Sequence, residues 1–593
     1  MSKITNNILN LITSISLLLL VYSLFILRGI PSEGYTSNIY EQLPFHFYLT
    51  LLLCYLSACV LLLAYRKISA VLILLLVHIT VLIIPYILGY VSVGRGKEFS
   101  YIGLAGQSAL SDSAGFSSLS PTGPLLVSAM SLISGLETWV LSYFLPVFFS
   151  IMFITGMFLF YRIFMSREKL VSVAFLSSLI PYFGHFQASA APYYLCFCLV
   201  PLYLFVLRSA LSDKNRAMGV CLLFMLPLVP LAHPFIFAYL ACFSLSLIFS
   251  STILKFGFLR KIRSLNFLSG SSRGRKVPIF IFLSFASGGF LFYAKYAPQF
   301  LDVFLSTLVL RTETLMSTAF SRVPGTENGF FEFVHLLNLY YGKYYIPLIF
   351  ILINSVIVWQ NRKRFCHHFV RRYPRFLILY IATFFLELAF LLNPFLPYPP
   401  DRFANLSFII FAQIPLLGYS LYVIFLRKGY TLGLGSAVLV LCLLWTLGFF
   451  TCFSSPYTGG ISEVVSQNEV EGIQWLCGVK ETYPYMSSGS EERSNTLPGT
   501  FSGNLSRSAE FAEVSARPIY AYKSDYEGII PLDKVENEPF YLVVTTFSEA
   551  LSLNKQKSDD APVSIGNISR AQNDYLVHKI YDSLNIEIYK HKP

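Results

Sequence analysis

Long apolar runs constrain this chain more than any other feature. The first of them, ILNLITSISLLLLVYSLFIL at 8–27, contains no charged residue. An α-helix that crosses the hydrocarbon core of a bilayer needs about 20 apolar residues. The segment also lacks the small-residue cleavage site that ends a signal peptide. We therefore predict that 8–27 is a retained membrane-spanning helix.

Further runs of the same kind follow along most of the chain. The composition agrees, because 55% of the residues are hydrophobic and only 13% are charged, which excludes an ordinary soluble domain. We predict an α-helical polytopic membrane protein with about thirteen spans. They are 8–27, 46–65, 70–92, 139–161, 170–188, 192–208, 219–232, 234–254, 277–293, 346–360, 376–393, 405–426 and 432–452.

Basic residues predict the orientation of these spans. Loops rich in Lys and Arg stay in the cytoplasm, and the thirteen-span arrangement places all six basic loops on one side. These loops are 66–67, 162–169, 214–216, 255–276, 362–375 and 427–428. We therefore predict a multi-pass protein of the cell membrane with a cytoplasmic N-terminus. The loops 28–45, 93–138 and 294–345 and the C-terminus then lie on the exterior side.

The last 141 residues differ in composition from the rest. Residues 453–593 contain 12 Lys and Arg against 19 Asp and Glu, whereas residues 1–452 contain 32 against 13. We predict a transmembrane domain over 1–452 and a small soluble α/β domain on the exterior side over 453–593. Helical spacing of apolar residues indicates a helix at 466–476. Strands are predicted at 518–523, 540–547 and 579–591, the last with a turn at 583–585.

The Lys and Arg residues of the membrane part indicate the orientation of the spans and do not indicate a nucleic-acid partner. The basic excess lies in the short cytoplasmic loops, so no nucleic-acid partner is predicted, whereas membrane lipids are. The spans themselves are nearly free of ionisable groups. His78 and Glu387 are exceptions that we interpret as hydrogen-bonded groups between helices. The polar residues instead gather on the exterior loops, which favours an enzyme that acts on a lipid-borne substrate at the outer leaflet.

Three short motifs resemble one protein family. GYTSNIYEQLP at 34–44, GRGKEFSYIG at 94–103 and KIYDSLNIEIYKH at 579–591 resemble archaeal multi-spanning membrane proteins of the GT-C glycosyltransferase superfamily. The resemblance implies a GT-C-like fold and transfer of a sugar from a polyprenyl-phosphate donor. The acceptor would be a lipid-linked glycan or a surface glycoconjugate. It also implies an acidic residue in an early exterior loop, which acts as a base or a ligand. No cofactor is predicted, and a divalent metal ion is the alternative.

Glycosyl transfer predicts which residue types to seek in the exterior loops. A carboxylate accepts the proton of the acceptor, and cations hold the phosphate of the leaving group. The catalytic candidates are Glu41, Glu33 and Glu98, with Glu41 as the first choice for the base. The candidates for substrate binding are Arg95, Lys97, Tyr101, His185, His233 and Arg402. The alternatives are a solvated charge before a span for Glu41, and attraction to anionic lipid headgroups for Arg95 and Lys97.

The second motif departs from the family pattern. Lys97 stands where the family has an aspartate, and Tyr101 stands where it has a histidine. A protonated lysine neither accepts a proton nor binds a divalent metal. Two other functions therefore stay open. One is a catalytically silent relative that binds lipid or assembles with other proteins, and the other is a lipid or polysaccharide exporter.

Overall fold

Apolar helices dominate the part of the chain that the computed structural model describes. That part comprises residues 3–30, 34–64, 66–94, 122–165, 168–190, 192–210, 217–222, 330–360, 409–426, 431–456, 461–479, 519–521, 540–546, 577–583 and 585–591, with single residues at 105, 225, 240, 380, 381, 383 and 384. Five helices in these ranges are long and apolar enough to cross a membrane. The chain is therefore a membrane protein, while the count of thirteen spans stays a prediction.

The helices have the following bounds. They are α1 Lys3–Arg28, α2 Ile39–Gln42, α3 Phe45–Leu63, α4 Lys67–Ile87, α5 Thr122–Ser134, α6 Thr138–Phe164, α7 Glu168–Ser178, α8 Pro192–Ala210, α9 Phe330–Gln360, α10 Ile410–Leu421, α11 Thr431–Phe449 and α12 Gln467–Val479. A 3₁₀ helix at Gly184–Gln187 follows α7, and a π-helical turn at Tyr422–Leu426 follows α10.

Small residues allow the apolar helices to pack closely. Helix α1 packs against α3 and α4, α6 packs along α8, and α7 packs along α10. A Cβ atom on Gly418 of α10 would lie 2.7 Å from the Cα atom of Ala174 in α7. A Cβ atom on Gly156 of α6 would lie 3.0 Å from the Leu202 side chain in α8. Glycine therefore sets the separation of both helix pairs, as is common between helices in lipid.

The two ends of the helix bundle differ in what they carry. At one end Lys67 forms a salt bridge of 3.0 Å with Glu168, which brings the basic loops 66–67 and 162–169 together. At the other end the segments 34–43 and 90–94 meet residues 451–479, which begin the C-terminal part. We call this second end the tail-side end. The structure thus separates the two described basic loops from the C-terminal part, as the orientation prediction requires.

The C-terminal part combines a helix with a four-stranded sheet. The strands are β3 Ile519–Ala521, β4 Phe540–Thr545, β5 Val577–Ser583 and β6 Ile586–His591, in the order β3-β4-β6-β5. Strand β3 pairs parallel with β4, and the other two pairings are antiparallel. Helix α12 packs on β5 and β6 through Trp475, whose ring lies 4.7 Å from that of Tyr581. The predicted helix and the three predicted strand segments are all found here.

The third predicted span ends earlier than hydropathy indicates. Helix α4 stops at Ile87, and Gly89 then turns the chain with a φ of 88°. Residues Tyr90–Ser92 form strand β1, which pairs antiparallel with β2, Val465–Ser466. The prediction of one span over 70–92 was therefore wrong at its end. Apolar residues of this strand are buried against the C-terminal part rather than in lipid.

The segment predicted as a span at 170–188 is not one helix. Helix α7 ends at Ser178, Pro181 lies in the irregular segment that follows, and Gly184 begins the 3₁₀ helix. Gly184 has a φ of 61°, a conformation that favours glycine. Helix α9 is longer than the predicted span 346–360, because it begins at Phe330. The predicted span 277–293 lies outside the described residues, as do all of 234–254 except Leu240 and nearly all of 376–393.

Candidate functional site

Glu41, the first candidate base, lies on the short helix α2 at the tail-side end. Asn38 caps this helix, because its side-chain oxygen accepts a hydrogen bond of 3.2 Å from the Tyr40 amide. The same side chain donates a bond of 2.9 Å to Glu41 Oε1. The Glu41 side chain is exposed. Its carboxylate is thus oriented by Asn38 and still open to an incoming hydroxyl group.

Tyr40 fixes α2 to the end of α11. Its hydroxyl donates a hydrogen bond of 2.7 Å to the Phe449 carbonyl and accepts one of 3.0 Å from the Phe453 amide. The ring of this buried tyrosine lies 5.4 to 5.7 Å from the rings of Phe449, Phe450 and Phe453. The turn 449–453 therefore determines where Glu41 stands.

Asn585 ties the first connecting segment to the C-terminal part. Its Oδ1 accepts a hydrogen bond of 3.1 Å from the Tyr35 amide, and its Nδ2 donates one of 3.2 Å to Ser466 Oγ. Gly34 packs directly on this side chain. A second connection joins the Tyr35 hydroxyl to the Ser462 carbonyl at 2.8 Å. The segment that carries Glu41 is consequently held from both sides.

Tyr90 of β1 supports the same segment. Its hydroxyl lies 3.0 Å from the Gly34 carbonyl and 3.2 Å from Gln42 Oε1. Burial raises the pKa of Tyr90 above its ordinary value, while the hydrogen bond with Gln42 opposes that shift. The phenol keeps its proton at neutral pH and stays a hydrogen-bond donor to the segment beneath Glu41.

Glu469, a buried carboxylate, has a structural role. Ser466 and Glu469 form a capping box at the start of α12, in which the Ser466 amide donates to Glu469 Oε2 at 2.9 Å. The Glu469 amide in turn donates to Ser466 Oγ at 3.4 Å. We therefore do not assign this carboxylate to chemistry.

Lys343 is a buried cation at the tail-side end. The residue is 2% exposed, and its Nζ donates a hydrogen bond of 2.8 Å to Thr451 Oγ1. The Tyr344 ring lies 5.5 Å from Nζ, and a Cβ atom on Gly184 would lie 3.8 Å from it. Together with His185 these residues form what we call the Lys343 cluster.

His185, a predicted substrate-binding residue, lies in this cluster. It belongs to the 3₁₀ helix Gly184–Gln187, is half-buried, and interacts electrostatically with the Lys343 ammonium. The same short helix contacts α4, because Gln187 Nε2 donates to His78 Nε2 at 3.3 Å. His78 is buried and hydrogen-bonded, as we interpreted it from the sequence.

Glu41 and Lys343 are connected through one turn. Tyr40, the neighbour of Glu41, binds the backbone at Phe449 and Phe453, and Lys343 binds the Thr451 side chain between them. The structure therefore brings a carboxylate and an ammonium group to the same end of the bundle. A carboxylate can deprotonate an alcohol, and an ammonium group can hold a phosphate.

An apolar groove runs down the bundle from the tail-side end. Its volume is about 630 Å³, and it lies between α4 and α6. Its lining residues are Ile79, Ile83, Tyr86, Gly89, Tyr90, Val91, Tyr143, Phe144, Val147, Phe148, Ile151 and Gln467. On α6 it extends from Tyr143 to Ile151, which is about 12 Å of helix. Phe144 and Phe148 are 60% and 49% exposed, so the groove opens sideways toward lipid.

The remaining predicted site residues lie outside the described residues. They are Glu33, Glu98, Arg95, Lys97, Tyr101, His233 and Arg402. Their roles stay predictions, as does a metal ligand set. Within the described ranges no group of three His, Cys, Asp or Glu side chains is close enough to hold a metal ion.

Sequence reasoning missed Lys343. The predicted span begins at 346, which places Lys343 in loop 294–345, whereas helix α9 begins at Phe330. A signal was present, since YYGKYY at 340–345 surrounds one lysine with aromatic and small residues. The sequence does not show that this lysine is buried, because its hydrogen-bond partner Thr451 lies 108 positions away.

Comparisons with known proteins add a structural likeness. No family model matches the chain, and no curated protein matches it. Among solved structures, it is similar to ArnT from Cupriavidus metallidurans, which was crystallised bound to undecaprenyl phosphate. The two chains share 10% identity with a TM-score of 0.43, over 88% of this chain and 98% of ArnT. Those values are too low to assign a family or an activity to this chain.

Proposed function

We propose that the chain is a membrane glycosyltransferase of the GT-C type. It transfers a sugar from a polyprenyl-phosphate donor to a lipid-linked glycan or surface glycoconjugate on the exterior face. The observation that carries this proposal is the apolar groove between α4 and α6. It starts at the tail-side end beside Tyr90 and Gln467 and follows helices that are apolar enough to cross a membrane.

The groove suits the tail of such a donor. Its length along α6, about 12 Å, is close to the depth of one leaflet, about 15 Å of hydrocarbon. Aromatic and aliphatic side chains line it, with Gln467 as a polar group at its tail-side end. A polyprenyl chain in the groove would leave its phosphate and sugar at the level of α2, where Glu41 stands.

Glu41 supplies the acid–base chemistry in this proposal. Its exposed carboxylate accepts the proton of the acceptor hydroxyl group as the acceptor oxygen forms a bond to the sugar C1 atom. The bond between C1 and the phosphate oxygen breaks, and polyprenyl phosphate leaves. Asn38 holds the carboxylate in one orientation through its bond of 2.9 Å.

A transfer assay tests the proposal. Purified protein in lipid nanodiscs is incubated with radiolabelled polyprenyl-phosphate sugars and, in parallel, with the same sugar phosphates without the tail. We expect transfer only from the tailed donors, and Glu41→Gln should lower the rate roughly 10²- to 10⁴-fold. Glu168→Gln, an exposed carboxylate at the opposite end, should not change it.

Two results of that assay would change the conclusion. Equal rates for the parent and Glu41→Gln would remove Glu41 from the mechanism. Binding of tailed donors without turnover would favour a catalytically silent relative, the alternative that Lys97 at the aspartate position supports. The exporter stays an alternative that no particular contact among the described residues favours.

A further inference from the structure

Lys343 is a buried charge with few compensating partners among the described residues. An ammonium group has three N–H donors, and the described residues offer it one hydroxyl oxygen, that of Thr451. The Tyr344 ring at 5.5 Å adds a weaker attraction. A cation taken out of water without a paired anion is destabilising. Such a group needs an explanation beyond packing.

Among the described residues, the neighbours of Lys343 provide no negative charge. The salt bridges among the described residues join Lys67 to Glu168 and Lys579 to Asp582 and Glu587, away from this cluster. His185 is neutral or cationic, and the buried thiol of Cys452 is neutral. The described part of the chain therefore leaves the cluster with a net positive charge.

Thr451 does not depend on Lys343 for its hydrogen bonding. Its hydroxyl also donates to the Gly448 carbonyl at 2.9 Å, an acceptor in its own helix turn. A Cβ atom on Gly184 would lie 3.8 Å from Nζ and 3.3 Å from the Thr451 carbonyl oxygen, so this glycine places no side chain against the ammonium group. Two of the three Nζ donors therefore have no acceptor among the described residues, and an anion would supply one.

We infer that Lys343 is the anion-binding residue of a site for a phosphate monoester at the tail-side end. His185 is the partly exposed member of the cluster. The phosphate is that of a polyprenyl lipid or a free phosphate ion, and the lipid form rests on the proposed function. The groove lies close by, since the Tyr86 hydroxyl of its wall is 3.5 Å from the carbonyl of Ala188, three residues after His185.

The test compares thermal unfolding and ligand binding of three variants in nanodiscs. The probes are polyprenyl phosphate, the neutral polyprenol and inorganic phosphate. Lys343→Met should bind polyprenyl phosphate roughly 10- to 100-fold more weakly than the parent, because a charge-assisted hydrogen bond is lost. Lys67→Met removes the same charge from an exposed lysine at the opposite end and should bind as the parent does.

Stability without ligand separates a binding role from a structural one. Lys343→Met removes an uncompensated buried charge, so its unfolding temperature without ligand should rise. Thr451→Val removes the acceptor that the described residues offer to that charge, so its unfolding temperature should fall while polyprenyl phosphate still protects it. A structural lysine–threonine bond predicts that both variants lose stability.

Several outcomes would overturn the inference. They are a fall in the unfolding temperature of Lys343→Met without ligand, equal binding by Lys343→Met and the parent, and equal protection by polyprenol and polyprenyl phosphate. Protection of the parent by inorganic phosphate, lost in Lys343→Met, would identify free phosphate as a ligand and support the site. Lys343-dependent binding without sugar transfer would refute the proposed function alone.

Discussion

At the scale of single residues, the contact between Gly34 and Asn585 determines how the segment carrying Glu41 is held. Gly34 has a φ of 101°, and a Cβ atom there would lie 2.4 Å from Asn585 Oδ1. That oxygen already accepts the Tyr35 amide, so the amide group cannot turn away without losing a hydrogen bond. The glycine is therefore required both for its backbone conformation and for the absence of a side chain.

We predict that Gly34→Ala destabilises the protein by about 1–3 kcal/mol, through backbone strain and the contact with Asn585. Thermal unfolding and limited proteolysis of the C-terminal part would measure the effect. Gly135→Ala is the matched control, because Gly135 also has a positive φ, 70°, but has open space around it. Equal losses for the two variants would contradict a role for Asn585, and Asn585→Ala should reduce the excess cost at Gly34.

At the scale of elements, the close approach of α7 and α10 depends on Gly418. We predict that Gly418→Ala destabilises the bundle by about 1–3 kcal/mol, because the new methyl group meets the backbone of Ala174, which cannot rotate aside. Gly435→Ala in α11 is the control, since a Cβ atom there has no neighbour within 4 Å. It should stabilise by about 0.5–1 kcal/mol through helix propensity. Chemical unfolding in detergent micelles measures both.

A loss at Gly435 equal to that at Gly418 would show that the helix contact is not the cause. Helix α7 leads through residues 179–183 into the 3₁₀ helix that contains His185. The packing of α7 on α10 thus contributes to placing the Lys343 cluster.

The sequence predicted the elements whose apolar length is set by the membrane. The span 46–65 is found as α3, Phe45–Leu63, and 432–452 as α11, Thr431–Phe449. It could not predict elements whose apolar residues are buried against protein, because hydropathy does not distinguish a lipid neighbour from a protein neighbour. The turns after Ser178 and strand β1 are such cases, although Pro181, Gly184 and Gly89 marked the breaks.

Part of the candidate site could be predicted, because the sequence shows which charged residues lie next to apolar runs. Glu41 is a candidate because a carboxylate just before an apolar run is visible in the sequence, and the structure shows its hydrogen bond with Asn38. Its role as the base stays a prediction. Lys343 could not be predicted, because its importance depends on burial without a neutralising carboxylate among the described residues. That information comes from residues more than 100 positions away, Thr451 and Gly184.

At the scale of the whole molecule, function depends on which side of the membrane the tail-side end faces. The described basic loops 66–67 and 162–169 share the opposite end. The segments that carry Glu41, the Lys343 cluster and the C-terminal part share the tail-side end. Because short basic loops stay in the cytoplasm, the tail-side end should face the exterior, where a lipid-linked sugar would meet its acceptor.

Cysteine labelling in intact cells tests this orientation. In a background with Cys477→Ser, a membrane-impermeant maleimide should label Glu471→Cys, an exposed position on α12, without permeabilisation. Lys169→Cys, exposed at the opposite end, should be labelled only after permeabilisation. The reverse pattern would place Glu41 and Lys343 at the cytoplasmic side of the membrane. The protein would then have to bind its donor in the inner leaflet. Labelling of both positions in intact cells would mean that the two ends are not separated by the bilayer.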